Sequence, residues 1–176
     1  MLRLMLLRHA KSSWTDPGRD DRDRPLSARG LEAAPAIGAF MRKEKLVPDL
    51  VLCSPARRSR DTWKLAAEAL KAAPKVIVDD ALYDFGNGGK LLDALRHKGN
   101  EAKVVLLVGH NPSLERLALR LIGKGDKKLK DRIAKKYPTG ALAVLEFKAS
   151  DWKDVKDAEG ELVSFTRPTD VLPKDK

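Results

Sequence analysis

Leu4-Met5-Leu6-Leu7-Arg8-His9-Ala10-Lys11-Ser12 is an apolar run that stops abruptly on an arginine and a histidine. A short unbroken apolar run reads as a strand buried on both faces. Its last step then delivers a guanidinium and an imidazole to the strand's carboxyl end. The pattern recurs twice. Asp49-Leu50-Val51-Leu52-Cys53 runs into Ser54-Pro55-Ala56-Arg57-Arg58, and Lys103 to Val108 runs into Gly109-His110-Asn111-Pro112. In open α/β sheets, ligands bind in the crevice outside the carboxyl ends of the strands. Three strands ending in Arg-His, Ser-x-x-x-Arg and Gly-His therefore bring two imidazoles and several guanidiniums to one crevice.

Outward from these strands, the chain alternates strand and helix as far as Gly123. A polar loop dense in Asp and Arg runs from Ser12 to Pro25. Ser27 reads as a helix N-cap for a helix over 28–43, with Leu31, Ala34, Ile37 and Met41 on its inner face. Ser54-Pro55 opens a second helix running to about Ala73, with Leu65, Ala69 and Ala72 inward. Val76 to Val78 reads as a short strand and Leu91 to His97 as a short helix. Pro112-Ser113 starts a helix carrying Leu114, Leu117, Leu121 and Ile122, which Gly123 and Gly125 break. A basic helix follows and ends before Pro138, with Leu129, Ile133 and Tyr137 recurring on one buried face. Gly140 to Phe147 reads as a strand, Trp152 to Glu161 as a turn region, Leu162 to Arg167 as an edge strand, and 168–176 as a loose tail. The expectation is one α/β domain over 1–176, a three-layer α/β/α sandwich on a mostly parallel sheet. The last two strands are expected to run antiparallel at an edge.

Composition bounds the function. With 43% hydrophobic and 34% charged residues, 176 residues suit one globular domain. No apolar run approaches the roughly 20 residues of a membrane span, and the apolar N-terminus lacks a cleavage site. A cytoplasmic monomer without membrane association is expected. The single cysteine, Cys53, excludes an internal disulfide and reads as a small buried residue rather than a reactive thiol. The formal net charge is +10. The densest block of cations lies between Arg120 and Lys136, and reads as a solvated helix face or as a docking surface for an acidic partner. With no zinc-finger spacing and no aromatic-rich basic sheet, nucleic-acid binding is not expected.

His9, His97 and His110 lie far apart and lack metal-ligand spacing. There is no phosphate-binding Gly-rich loop and no Gly-x-Ser-x-Gly elbow. The remaining chemistry is arginine forks, which match phosphate oxygens, and histidine, which can form a covalent intermediate. Here the chain resembles the histidine phosphatase superfamily, with its phosphoglycerate mutase-like fold. Leu-Arg-His-Ala-Lys-Ser is similar to the Arg-His-Gly signature, with Ala10 for the usual glycine. Ser54 to Thr62 resembles Ser-x-x-x-Arg-x-x-x-Thr, which selects Arg58 over Arg57, and Gly109-His110-Asn111-Pro112 resembles the second histidine motif. Arg24-Pro25-Leu26-Ser27-x-x-Gly30 and Pro138-Thr139-Gly140-Ala141 resemble the short SixA-type branch of phosphohistidine phosphatases.

The resemblance implies His9 as nucleophile, with Arg8, Arg58 and His110 around the phosphoryl group, and neither metal nor other cofactor. One nitrogen of His9 should be held by a hydrogen bond that fixes the tautomer. Ser12, Arg24 and Asn111 are candidate substrate contacts. Arg57 and Arg60 read as solvated, and His97 as a helix-end residue. Many members carry a glutamate general acid after the third strand. Here Ala81 to Gly86 offers only Asp84, which would need its pKa raised to act as an acid. A site without a strong acid suits the weakly basic imidazole leaving group of phosphohistidine better than an alkoxide. The expected substrate is therefore phosphohistidine on a partner protein. The alternatives are a small anionic phosphomonoester, or phosphoprotein binding without catalysis.

Overall fold

The structure is a computed structural model and describes residues 1–174. Seven strands form one sheet: β1 (Leu2–Arg8), β2 (Leu50–Cys53), β3 (Lys75–Val78), β4 (Val104–Gly109), β5 (Ile122–Gly125), β6 (Leu142–Phe147) and β7 (Gly160–Thr166). Their order is β3-β2-β4-β1-β6-β7-β5. β1, β2, β3 and β4 pair in parallel. β6 runs antiparallel to both of its neighbours, β1 and β7, while β5 and β7 pair in parallel. Only β6 is reversed, so the sheet is mostly parallel. The expected antiparallel pair is present, but β7 is not the edge. Ile122-Gly123-Lys124-Gly125, which reads as a helix break, pairs outside it. Gly123 lies so close to the Ala158 carbonyl that a Cβ would collide with it.

Among the described residues six α-helices surround the sheet: α1 (Ala28–Lys43), α2 (Arg57–Leu70), α3 (Gly89–Lys98), α4 (Ser113–Leu121), α5 (Lys127–Lys135) and α6 (Pro168–Val171). Alternate residues of a strand face opposite sides of a sheet, and the core divides accordingly. Leu4, Leu6, Leu52, Val105 and Leu107 pack with Leu92, Leu95, Leu117 and Ile133 of α3, α4 and α5. Met5, Leu7, Val51, Cys53, Leu106 and Val108 pack with Ile37 and Met41 of α1 and Trp63, Ala66 and Leu70 of α2. This is the three-layer α/β/α sandwich. Each fully buried aliphatic side chain contributes about 1.5–3 kcal/mol.

The helix faces depart from the apolar pattern. Leu31 is exposed, and Gly30 and Gly38 join Ala34, Ile37 and Met41 on the buried face of α1. On α2 the fully buried stripe is Ser59, Thr62, Trp63, Ala66 and Leu70, with the expected Leu65 and Ala72 partly buried beside it against the core. Small and hydroxylated residues mark the close contact between α1 and α2, and an apolar count does not register them. α2 ends at Lys71, which takes a left-handed conformation, short of Ala73. Trp152 opens a 3-10 turn and is wholly buried, its Nε1 donating to the Ala102 carbonyl at 2.6 Å. The supposed loose tail forms α6 and lies on α1, while 175–176 fall outside the described residues. Cys53 is buried, and that burial pushes its thiol up to about 12. Among the described residues no helix is long and apolar enough to cross a membrane.

Candidate active site

The strand register levels the ends of β1, β4 and β2. Arg8 pairs with Gly109, and Val108 pairs with Cys53. The next residues, His9, His110 and Ser54, therefore emerge side by side. The His9 and His110 ring centroids are 5.1 Å apart. They line a crevice of about 470 Å³ together with Arg8, Ser12, Arg24, Arg58 and Asn111. All seven candidate catalytic and binding residues thus meet in one place, although they span more than a hundred positions of sequence.

In Ser-x-x-x-Arg-x-x-x-Thr, Ser54 lies in the turn before α2, and Arg58 and Thr62, four residues apart, share one face of its first turns. Ser54 Oγ lies 2.8 Å from His110 Nε2. Arg58 is only 3% exposed and reaches the crevice. Thr62 Oγ1 donates to the Arg58 carbonyl at 2.6 Å and accepts the Ala10 N–H at 2.9 Å, tying the helix to the end of β1. Arg57, by contrast, pairs on the surface with Asp61 at 3.4 Å, and the exposed Arg60 bonds the Pro55 carbonyl.

The other two motifs build the walls. Ser27 caps α1 by accepting the Gly30 N–H at 3.2 Å, and its N–H and hydroxyl both donate to the Lys11 carbonyl. Gly30 rests against that same carbonyl, where any side chain would collide. Gly140, at φ 78°, turns its N–H toward the carbonyls of Arg8 and His9, both at 3.0 Å. Pro138 and Thr139 then line the crevice.

His9 Nδ1 donates to the Ala10 carbonyl at 2.7 Å, which fixes the tautomer and leaves Nε2 as a lone-pair nitrogen. Burial, reinforced by the charges of Arg58, Arg8 and Arg24, lowers its pKa to about 3. Burial and the nearby His9, Arg58 and Arg8 lower that of His110 to about 2. Both rings are therefore neutral at physiological pH. Arg8 Nη1 donates to the Tyr137 carbonyl at 2.9 Å, while its buried Nε has no partner and is left over as a donor. Burial lowers the Arg8 pKa, and Glu115 works against it.

These buried neutral rings have a consequence for stability. Unfolded, each titrates near 6.5; folded, near 3 or 2. The unfolded state therefore binds more protons below pH 6.5, so stability is fully present above that pH and is lost as pH falls toward 3. The Tm should fall between pH 7.5 and 5.0, before most carboxylates titrate, and His9→Asn should flatten that fall. An unchanged slope in the variant would contradict it.

Asp21 is the site residue that sequence reasoning missed. Its Oδ2 accepts from Tyr83 at 2.5 Å and from Arg58 Nη2 at 3.0 Å, and its Oδ1 accepts from Arg24 Nη1 at 2.9 Å. Burial works to raise this carboxyl, but the bonds from Tyr83, Arg24 and Arg58 hold it far below the usual carboxylate range. Asp84 lies outside the crevice lining and accepts the Gly86 N–H. Arg24 is spent on scaffold contacts: Asp21, the Ser12 hydroxyl, the Ser13 carbonyl and the face of Trp14, 3.1 Å away. Asn111 bonds the Tyr137 carbonyl and the Glu115 N–H. Trp14, Phe85, Lys11 and Lys136 complete the lining. Only the dense Asp-Arg composition of the Ser12–Pro25 loop hinted at Asp21. Among the described residues no three His, Cys, Asp or Glu side chains converge as metal ligands.

The arrangement is an anion site with a lone-pair nitrogen at its floor. Comparison with known proteins agrees. The family described as histidine phosphatase superfamily (branch 1) matches residues 4–90. An uncharacterised protein of Mycobacterium tuberculosis is 36% identical over 164 residues, covering 92% of this chain and 99% of that one. The crystal structure of a candidate phosphohistidine phosphatase SixA from Agrobacterium tumefaciens is 31% identical with a TM-score of 0.79, covering 95% of this chain and 98% of its own. A second candidate SixA, from Nakamurella multipartitia, is 28% identical with a TM-score of 0.81, covering 95% and 96%. The sheet and its helices are thus of the phosphoglycerate mutase-like kind, and the chain belongs to the histidine phosphatase superfamily.

Proposed function

We propose that the protein hydrolyses phosphohistidine on a partner protein, through a covalent phosphoryl group on His9. The observation that carries this reading is the crevice's acid–base inventory. Among the described residues, Asp21 is the one carboxylate that lines it, and it is held ionised by Tyr83, Arg24 and Arg58. A group so held has no proton to give a departing alkoxide. The imidazole of phosphohistidine, which ordinarily titrates near pH ~6.5, leaves without a strong acid. The likeness to two candidate phosphohistidine phosphatases supports the same choice.

In the first step His9 Nε2 attacks phosphorus in line. The bond from Nε2 to phosphorus forms as the bond from phosphorus to the substrate nitrogen breaks, and the substrate ring, already protonated at its other nitrogen, leaves as neutral imidazole. Charge on the equatorial oxygens of this loose transition state falls to Arg8, Arg58 and His110. Ser54 Oγ accepts the Ala56 N–H and pairs with His110 Nε2 at 2.8 Å, while Arg58 Nη2 donates to His110 Nδ1 at 3.4 Å. When Arg58 turns to the phosphoryl oxygens, the Ser54 hydroxyl donates to Nε2 and Nδ1–H donates to a phosphoryl oxygen beside Arg58. In the second step water attacks the phosphorus on His9, the bond to Nε2 breaks, and inorganic phosphate leaves. Guanidiniums at this density supply the positive field that the transfer needs.

A second reading is a phosphomonoesterase for a small anionic metabolite, favoured by Lys11 and Lys136, two further ammonium groups in the lining. Phosphate release from a protein carrying phosphohistidine, from a phosphoserine peptide and from a sugar phosphate separates the two. Release at least about a hundredfold faster from phosphohistidine is expected, the difference between a weakly and a strongly basic leaving group without acid assistance. Faster release from the sugar phosphate would overturn the reading.

A further inference from the structure

A second groove, of about 700 Å³, opens beside the crevice and shares Lys136 and Pro138 with it. One wall is α5 with Arg132 and Lys135; the other is Phe165, Arg167 and Thr169 of β7 and the start of α6. Lys128, Arg132 and Lys135 stand at i, i+4 and i+7 of α5 and share one face, while Ile133 and Leu129 turn to the core. From Lys124 to Lys136 the sequence carries seven cations against two carboxylates, Asp126 and Asp131. Asp170 lies 3.3 Å from Arg132 and 3.0 Å from Arg167, and offsets part of the charge. Lys135 and Lys136 have no ion-pair partner among the described residues. None of this charge is needed to hold a single phosphoryl group, since Arg8, Arg58 and His110 already surround that position.

We propose that this groove docks an acidic segment of the phosphorylated partner protein, and so selects which phosphohistidines enter the crevice. The identity of the reacting residue rests on the function proposed above; the docking surface does not. Complementary charge at the rim of an interface governs encounter and partner choice more than chemistry. The continuity through Lys136 places an acidic stretch of the same polypeptide alongside its reacting side chain. Phe165, with the Arg132 guanidinium 5.8 Å from its ring, gives the groove an apolar floor that suits a peptide better than a bare polyphosphate.

The test uses the full chain and the double variant Lys128→Glu/Lys135→Glu, neither residue lying in the crevice. Fluorescence anisotropy reads binding of an unphosphorylated His-containing peptide with a run of glutamates, against one with serines in their place. The wild type should bind the glutamate peptide at least about tenfold tighter, since the small contributions of several exposed charge pairs accumulate to that. The preference should vanish in the variant and in 0.5 M salt, where the Debye length falls well below 10 Å. Inorganic phosphate should raise the Tm of both proteins equally, which reports an intact crevice. Equal affinity for the two peptides overturns the proposal. So does unchanged glutamate-peptide binding in the variant, loss of the phosphate-induced Tm shift in it, or a single-stranded oligonucleotide that displaces the peptide at tenfold lower concentration. If phosphohistidine peptides are not hydrolysed while the glutamate peptide still binds selectively, the function fails and the docking surface stands.

Discussion

His9→Ala will lose at least about 10⁴-fold in turnover, the scale on which removal of a covalent nucleophile is felt. The fold will remain, because the neighbouring backbone is held independently: His9 N–H donates to the Gly109 carbonyl and Ala10 N–H to Thr62. Two measurements make the result specific. Wild type incubated with labelled substrate and quenched in alkaline detergent should keep its label in base and lose it in acid, as a phosphoramidate does, and the variant should carry none. Free imidazole should restore part of the variant's turnover by occupying the space the side chain left, without restoring the label on protein. The low His9 pKa implies that the attacking nitrogen stays unprotonated through mildly acidic pH. Loss of activity below pH 6.5 should therefore follow the substrate and the stability of the protein rather than titration of His9 in the free enzyme. A His9→Ala protein that kept more than 1% of activity would remove His9 from the chemistry.

Gly38→Ala will destabilise the protein by about 2–3 kcal/mol, and Gly38→Val by more, lowering the Tm by roughly 5–10 °C. The expected sign is opposite to the usual one, since in an exposed helix interior glycine to alanine gains about 1 kcal/mol. In α1 the helix backbone approaches α2 so closely that a Cβ on Gly38 would fall on the Ala66 carbonyl oxygen, which is backbone and cannot swing aside. The two helices must separate, and Ile37, Met41, Trp63 and Leu70 would lose contact with one another. Gly18→Ala is the control, since a Cβ there meets only an Asp16 carboxylate oxygen at 3.6 Å. Equal melting temperatures for Gly38→Ala and wild type would show that the helix pair can relax.

The strand ends were legible because their signal is local: an apolar run, a sudden change to Arg-His or Gly-His, and a helix start. The helix over 28–43 was legible for the same reason, and Ser27 caps it. Asp21 was not, because its meaning lies in contacts made 37 and 62 positions away, to Arg58 and Tyr83. One of four aspartates in the loop is singled out only by folding. The inner face of α2 was only partly legible because Ser59, Thr62 and Ala66 stand on it between Trp63 and Leu70, and their value is smallness rather than apolarity. β5 escaped notice because a strand with two glycines in four residues is held by the backbone of β7, with little side-chain pattern of its own. Pro168 to Val171 looked like a tail because four residues are too few to show a helical period.

Cys53 adds a consequence for oxidative stress. Sulfenic acid forms on exposed thiolates, and this chain's one thiol is enclosed between sheet and helices and kept protonated. The His9 nitrogen proposed to attack phosphorus offers peroxide no comparable target. Phosphatases that depend on a catalytic thiolate are silenced when peroxide rises; one built on paired imidazoles continues to clear phosphoryl groups under the same conditions. On the function proposed above, its output is then set by the supply of phosphorylated substrate rather than by the redox state around it.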